Sequence, residues 1–251
     1  MSRENDIKAL APGTQMAFDL PLRPGMGRED FLVTPCNAAA LEAIERWPGH
    51  PPRMPALVLL GPAGSGRTHL AEIWRTRHDA LRATAAELNV EAVPHLLARG
   101  ALVLEDLPGG REGEGKGEGK GGGGLDEVAL FHLLNMARES GAHVLITTTI
   151  TPPAWPVRLP DLKSRLAALP IARLEPPDDE LLRAVLAKLF ADRQLVVGEE
   201  VLQYLLLRME RSLAFARDLV AALDTASLRE KRPVTRHLAA RVLRDLMPGL
   251  F

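Results

Sequence analysis

The sequence contains little cysteine, little net charge and no long apolar run. Its single cysteine, Cys36, excludes an internal disulfide framework and a four-cysteine zinc site, and is typical of a reducing cytosol. The formal net charge of -1 gives no overall attraction to nucleic acid or to an anionic membrane. No apolar run approaches the roughly 20 residues that a membrane-spanning helix needs. Residues 1–8 are charged and lack the apolar core of a secretory signal, so we expect a cytoplasmic protein without membrane contact.

The 251 residues are 46% hydrophobic and 25% charged, as is usual for a globular protein of one large or two small domains. Short apolar runs at 56–60, 102–104 and 142–149 are typical of buried parallel strands. Amphipathic helical patterns at 37–47 and 68–77 lie beside the first of them. The alternation predicts an α/β fold with a doubly wound parallel sheet.

Two further stretches differ from this pattern. Residues 109–124 are almost wholly Gly, Glu and Lys, which predicts a disordered surface insertion. After residue 173, Pro176-Pro177-Asp178-Asp179 is a helix start, with its carboxylates at the positive end of the helix dipole. Three more amphipathic helices are predicted at 199–209, 212–227 and 235–246. A small all-helical domain is therefore expected to follow the sheet.

A glycine-rich motif follows the first strand and precedes a helix, which is the context of a phosphate-binding P-loop. In such a loop, backbone N–H groups surround phosphate oxygens and a threonine hydroxyl, here that of Thr68, binds Mg²⁺. The alternative is an ordinary glycine-rich turn. The usual lysine is replaced by Arg67, which keeps the charge but is larger, planar and forked. The predicted nucleotide-binding residues are Gly61, Pro62, Ala63, Gly64, Ser65, Gly66, Arg67, Thr68 and His69.

Polar residues end the second and third strands. Glu105 and Asp106 occupy the place of a Walker B motif, where the first acid can hold Mg²⁺ and the second can polarise an attacking water. They could equally cap a strand end. One of the threonines at 147–149 could contact a γ-phosphate, and Thr149 is the candidate, although threonine is also a good strand former.

Three other features indicate a function only when they are considered together with the motifs above. Arg165 and Arg217, each taken alone, would be solvated surface charges. The N-terminal segment 15–20 has a glutamine followed by apolar anchors, the kind of extended peptide that docks into a protein pocket. The anchor residues are Gln15, Met16, Phe18 and Leu20.

The order of these motifs resembles the DnaA branch of the AAA+ ATPases over nearly all of residues 29–245. The segment 30–37, with Phe31 and Val33, resembles the one that holds adenine in that family. Residues 130–135 and 151–153 resemble the helix before the sensor 1 strand and the turn after it. The resemblance assigns Ser164-Arg165-Leu166 to the arginine-finger box, 174–177 to the lead into the lid, and Ala216-Arg217-Asp218-Leu219 to sensor 2.

Two features direct the resemblance to the Hda family of DnaA regulators. The sequence stops at Phe251 after the predicted lid, so no helix-turn-helix DNA-binding domain is expected. The segment 15–20 resembles the motif by which proteins dock into the sliding clamp. The resemblance implies a tail at 1–28, an AAA+ base at 29–173 and a lid at 174–251.

The same resemblance implies the function. The partners would be DnaA and the sliding clamp, the β subunit of DNA polymerase III, with DNA contacted only indirectly and self-association left open. Arg165 would act in trans on the ATP of DnaA and negatively regulate replication initiation. ADP or ATP with Mg²⁺ would bind the protein's own P-loop, mainly as a structural ligand, with Thr68 and Glu105 on the metal.

Two other functions are open. One is a DnaC-like or DnaA-like ATPase that acts directly on nucleic acid or on a helicase. The basic residues at 229–244 favour it, but Glu230 and Asp245 interleave and aromatic residues are absent there, so a solvated helix face is expected. The other is a nucleotide-binding adaptor without a catalytic contribution.

Overall fold

The structure is a computed structural model that describes residues 26–49, 54–107 and 125–248. The predicted clamp motif, with Gln15, Met16, Phe18 and Leu20, lies outside the described residues, and so does the glycine-rich segment 109–124. Within the described part, no helix is long and apolar enough to cross a membrane.

A parallel sheet forms the first half of the fold. Its strands are β1 (Ala56–Leu60), β2 (Leu81–Thr84), β3 (Ala101–Leu107), β4 (His143–Thr148) and β5 (Ile171–Arg173). Across the described residues their order is β2-β3-β4-β1-β5, and every pairing is parallel. All of β1 is buried, because helices cover both faces of the sheet. The predicted α/β fold with a doubly wound parallel sheet is confirmed.

Helices pack on both faces of the sheet. One face carries α1 (Ala38–Arg46) and α2 (Arg67–Arg77), which pack with Leu57 and Leu59 of β1. The other carries α3 (Val93–Leu96), α4 (Glu127–Ser140) and α5 (Pro160–Ala167), which pack with Val58. Successive side chains of a strand point to opposite faces, so the apolar run of β1 supplies both cores.

The helical domain consists of α6 (Asp179–Asp192), α7 (Glu199–Leu206), α8 (Leu213–Glu230) and α9 (Arg236–Leu246). The side chains of Asp178, Ser212 and Thr235 cap α6, α8 and α9 by accepting a backbone N–H of the first turn. Leucines from all four helices form a core separate from those of the sheet. The predicted all-helical domain is confirmed.

Several boundaries differ from the sequence prediction. β3 continues through Glu105 and Asp106 to Leu107, with an irregular register after Leu104. β4 ends at Thr148, so Thr149 lies beyond the strand. Strands β2 and β5 were not predicted from the sequence, because β2 is half polar and β5 has three residues.

Candidate functional site

The glycine-rich loop joins the carboxyl end of β1 to the start of α2. Gly64 and Gly66 have φ angles of +72° and +95°, a region that glycine adopts without strain. Because α2 begins at Arg67, its first backbone N–H groups have no intrahelical acceptor and lie next to the loop. The predicted residues from Gly61 to Thr68 therefore lie together at one edge of the sheet, where α/β proteins bind ligands.

Two polar groups of the loop are buried without a hydrogen-bond acceptor among the described residues. Ser65 is 3% exposed, and its hydroxyl has no partner. Nη1 of Arg67 is also buried without a hydrogen bond, although it lies 3.3 Å from Oδ1 of Asp106. Buried donors are normally satisfied. Since the unused groups here are donors, the loop is suited to an anion such as a phosphate.

Glu105 forms an ion pair with Arg82 of the neighbouring strand β2. Its Oε2 accepts from Nε of Arg82 at 2.8 Å and lies 2.5 Å from Nη2. The Glu105 side chain is 12% exposed, so this pair is largely shielded on the acid's side. Arg82 was not predicted as a site residue, because β2 was not recognised as a strand from its sequence.

Asp106 has a φ of +52° and contacts Arg67 from the end of β3. Its backbone N–H donates to Oγ1 of Thr147 at 2.9 Å, which ties β3 to β4 at the point where the register is irregular. Burial lowers the pKa of the Arg67 guanidinium, while the charges of Asp106 and Glu105 oppose that shift. Two arginines and two carboxylates therefore balance one another beside the loop.

The predicted magnesium ligands, Thr68 and Glu105, have different surroundings. Thr68 is exposed, but the carboxylate of Glu105 is occupied by Arg82. Mg²⁺ prefers oxygen ligands that supply negative charge. The described residues contain no group of three or more His, Cys, Asp or Glu side chains placed to hold a metal. These residues therefore do not fit a metal bound through Glu105.

His69, at the start of α2, contacts the segment before α1. Its Nε2 lies 3.0 Å from the carbonyl oxygen of Gly27, and the Phe31 ring meets it edge-on with centroids 5.2 Å apart. Burial is the main cause that lowers the pKa of His69, and the nearby charges of Lys188 and Arg217 lower it further. Phe31 and Arg217 therefore both lie near the start of α2.

Val33, the second residue predicted to hold adenine, is exposed, whereas Phe31 is buried in the core under α2. Thr147 is hydrogen-bonded to Asp106, and Thr148 is fully buried with its hydroxyl against the carbonyl of Ile150 at 2.9 Å. Thr149 is exposed beyond β4. Of the three threonines, the structure brings Thr147 to the acidic pair.

The helical domain touches the phosphate loop directly. The N–H of Leu213, the first residue of α8, donates to the carbonyl of Gly64 at 2.8 Å. A methyl group on Gly64 would lie 3.1 Å from Cα of Ser212 and closer to its side chain. Arg217 follows Leu213 by one turn of α8. Neither Ser212 nor Leu213 was predicted, because the sequence marks Ser212 only as a helix cap.

Arg165 lies on α5, across the sheet from α2. Leu162 and Leu166 anchor α5 in the core on the α4 face, whereas α2 packs on the other face. The guanidinium of Arg165 lies over the ring of Phe131, with Cζ 4.7 Å from the centroid. Arg165 forms no ion pair with any carboxylate in the described part of the chain.

Comparison with known proteins identifies relatives of both halves of the chain. The model of the Hda lid domain matches residues 178–243, which cover α6 to most of α9. An uncharacterized protein of Haemophilus influenzae is 28% identical over 194 residues, covering 76% of this chain and 82% of that protein. The chromosomal replication initiator protein DnaA of Thermotoga petrophila is 24% identical over 241 residues. That match covers 90% of this chain, which spans about half, 54%, of that DnaA.

Solved structures show the same fold. Domain III of the replication initiation protein DnaA from Thermotoga maritima superposes with a TM-score of 0.70 at 23% identity, covering 90% of this chain and 98% of that one. DnaA from Aquifex aeolicus bound to AMPPCP gives a TM-score of 0.62 at 16% identity, covering 92% of this chain and 72% of that one. With the phosphate loop, the parallel sheet and the matched helical domain, the chain is a DnaA-related AAA+ protein that carries an Hda lid domain.

Proposed function

We propose that this protein is a negative regulator of chromosomal replication initiation that stimulates ATP hydrolysis by DnaA. In this proposal Arg165 enters the nucleotide site of DnaA in trans, and the N-terminal motif holds the protein on the DNA-loaded sliding clamp. The observation that carries the proposal is the placement of Arg165. It is held on an aromatic ring, has no carboxylate partner among the described residues, and lies across the sheet from α2.

The chemistry of an arginine suits this role. Its guanidinium is always charged and presents donors in a fixed fork that matches phosphate oxygens. An arginine supplied in trans stabilises the charge of the transferring phosphoryl group, and in other systems it accelerates hydrolysis by roughly 10³–10⁵-fold. The match of residues 178–243 to the Hda lid and the likeness to DnaA support DnaA as the partner.

The protein's own phosphate loop holds ADP or ATP in this proposal. The free donors of Ser65 and Arg67 and the start of α2 would bind a phosphate, and Arg217, one turn into α8, is the predicted lid residue. The AMPPCP-bound DnaA of Aquifex aeolicus, which shares the fold, supports a nucleotide here. Since Leu213 of the lid contacts Gly64, the nucleotide orders the lid against the base rather than driving turnover.

The clamp contact is assigned to Gln15, Met16, Phe18 and Leu20. Apolar anchors on an extended segment fit a preformed pocket, and the glutamine side chain supplies hydrogen bonds. Holding the protein on clamp-loaded DNA raises its effective concentration near DnaA.

A reconstituted hydrolysis assay tests the proposal. ATP-bound DnaA is mixed with DNA-loaded clamp and this protein, and the formation of ADP is followed. We expect Arg165→Ala to abolish the stimulation, whereas Lys163→Ala, an exposed cation two residues away on α5, keeps it. Stimulation that survives Arg165→Ala would show that Arg165 is not the finger. Clamp binding measured separately should be lost in the Gln15→Ala/Phe18→Ala variant and kept in Arg165→Ala.

The same mixture separates the other functions. ATP turnover by this protein without DnaA would favour an ATPase that acts on nucleic acid or a helicase. Clamp and DnaA binding without any stimulation of hydrolysis would favour a nucleotide-binding adaptor.

A further inference from the structure

Each of the two acids beside the phosphate loop lies against an arginine. Oε2 of Glu105 is held by both Nε and Nη2 of Arg82, at 2.8 and 2.5 Å. Oδ1 of Asp106 lies 3.3 Å from Nη1 of Arg67. In P-loop proteins the corresponding acid is free to hold Mg²⁺ or its water. Here a second arginine, Arg82 of strand β2, pairs with one oxygen of that acid, Oε2.

The charges near the loop therefore cancel without a metal. Arg67 and Arg82 supply two positive charges, and Glu105 and Asp106 supply two negative ones. Placing Mg²⁺ on Glu105 would either break its ion pair with Arg82 or put a second cation beside Arg82 on the remaining oxygen, Oε1. Either arrangement leaves positive charge poorly compensated in a site that is largely shielded from water, which is costly.

The groups that lack a partner at the loop require an acceptor. Ser65 is 97% buried and its hydroxyl has no hydrogen bond, and Nη1 of Arg67 is also unsatisfied, among the described residues. A phosphate oxygen can accept a hydrogen bond from both groups, whereas a cation cannot accept one from the Arg67 guanidinium. The guanidinium of Arg67, 12% exposed, lies at the loop, where a phosphate would share it with Asp106.

We propose that the phosphate loop binds its nucleotide without Mg²⁺, with Arg67 neutralising the phosphates and Arg82 keeping Glu105 from a metal. This inference rests on the nucleotide binding in the proposed function and specifies the ligand as the metal-free nucleotide. In this inference, the ion pair between Arg82 and Glu105 is the interaction that makes nucleotide binding independent of Mg²⁺.

Direct binding of a fluorescent ADP analogue tests this, with Mg²⁺ present and with EDTA instead. For the unchanged protein, we expect dissociation constants that agree within about threefold, because Arg82 pairs with Glu105 and Arg67 lies beside Asp106. A loss of affinity of about tenfold or more in EDTA would overturn the inference. A failure to bind the analogue in either buffer would overturn it as well.

Substitution of Arg82 tests the role of its ion pair with Glu105. Arg82→Gln frees Glu105, so binding should become dependent on Mg²⁺, with about tenfold tighter binding in Mg²⁺ than in EDTA. The matched control is Arg99→Gln, because Arg99 is also 53% exposed and pairs with an acid, Asp79, away from the loop. Arg99→Gln should keep the metal independence. If nucleotide binding by Arg82→Gln is as independent of Mg²⁺ as binding by Arg99→Gln, Arg82 does not keep the metal from Glu105.

The result is separate from that of the DnaA assay. Nucleotide binding that depends on Mg²⁺, together with stimulation that depends on Arg165, would overturn this inference and leave the proposed function standing. Metal-independent nucleotide binding without any stimulation of DnaA would support this inference and overturn the proposed function.

Discussion

The guanidinium of Arg165 lies over the ring of Phe131, joining α5 to α4 at the surface opposite α2. A cation over an aromatic face is attracted by the ring quadrupole, with a strength of about 0.5–2 kcal/mol. The long arginine side chain is thereby restricted before any partner arrives, which lowers the entropy that binding must overcome.

Phe131→Leu should therefore weaken the stimulation of DnaA less than Arg165→Ala does. We expect a loss of about three- to tenfold, corresponding to the strength of one such contact. Phe131→Tyr keeps the ring and should retain most of the stimulation. ADP formation in the clamp-dependent assay is the measurement, and equal activity of the Leu and Tyr variants would contradict a positioning role for Phe131.

Gly64→Ala should destabilise the protein because it separates the lid from the loop. Its φ of +72° is strained for alanine, and the added methyl group would meet Ser212. Gly141 is the matched control, since its φ is +73° and nothing lies within 4 Å of an added Cβ. We expect Gly64→Ala to lower the free energy of unfolding by about 1–3 kcal/mol more than Gly141→Ala, measured by urea denaturation. Equal losses would contradict the contact between Ser212 and the loop.

Stability should fall as the pH falls below the ordinary histidine pKa of 6.5. Burial lowers the pKa of His69, and also that of His78, in the folded state. The unfolded chain therefore binds more protons just below pH 6.5, so the loss begins there and levels off once the pH is below the folded pKa.

His69→Gln should reduce this loss of stability. The comparison is the free energy of unfolding at about pH 7.5 and about pH 5.5. His237→Gln, which removes an exposed histidine of α9, serves as the matched substitution control. A His69→Gln variant as sensitive to acid as the parent protein would contradict the role of His69.

Ser65→Ala should stabilise the nucleotide-free protein and weaken its response to nucleotide. Removing a buried hydroxyl that has no partner is expected to raise the free energy of unfolding by about 1 kcal/mol. Ser227 provides the contrast, because its buried hydroxyl donates to the carbonyl of Arg232 at 2.5 Å, and Ser227→Ala should cost about 1 kcal/mol.

Thermal unfolding with and without ADP is the measurement for the serine variants. The rise in Tm on adding ADP should be smaller in Ser65→Ala than in Ser227→Ala. A parallel destabilisation of both variants would show that Ser65 already has a partner.

Sequence patterns predicted the parts of the fold that depend on local periodicity. The apolar run at 56–60 matches β1 (Ala56–Leu60) in full, and the amphipathic patterns at 212–227 and 235–246 match α8 and α9 to within a few residues. Strand β2 has only one buried residue, Ala83, so neither an apolar run nor a clear alternation identified it.

The candidate site was predictable in its motifs but not in its contacts. The glycine spacing indicated the loop from Gly61 to Thr68, and the acids at the end of β3 indicated its neighbour. The pair between Arg82 and Glu105 joins residues 23 positions apart on adjacent strands, so it depends on the register of β2 against β3. The contact of Leu213 with Gly64 depends on how two domains pack, which local periodicity does not encode.

The hydrogen bond from Leu213 to Gly64 attaches the first residue of α8 to the phosphate loop. α8 has 18 residues, and a helix of that length is about 27 Å long. A tilt of about 10° at the Gly64 end would move its far end, near Arg229, by about 5 Å. A reorientation of the Gly64 peptide unit that tilted α8 would therefore be enlarged along the helix into a displacement of the lid surface near Arg229.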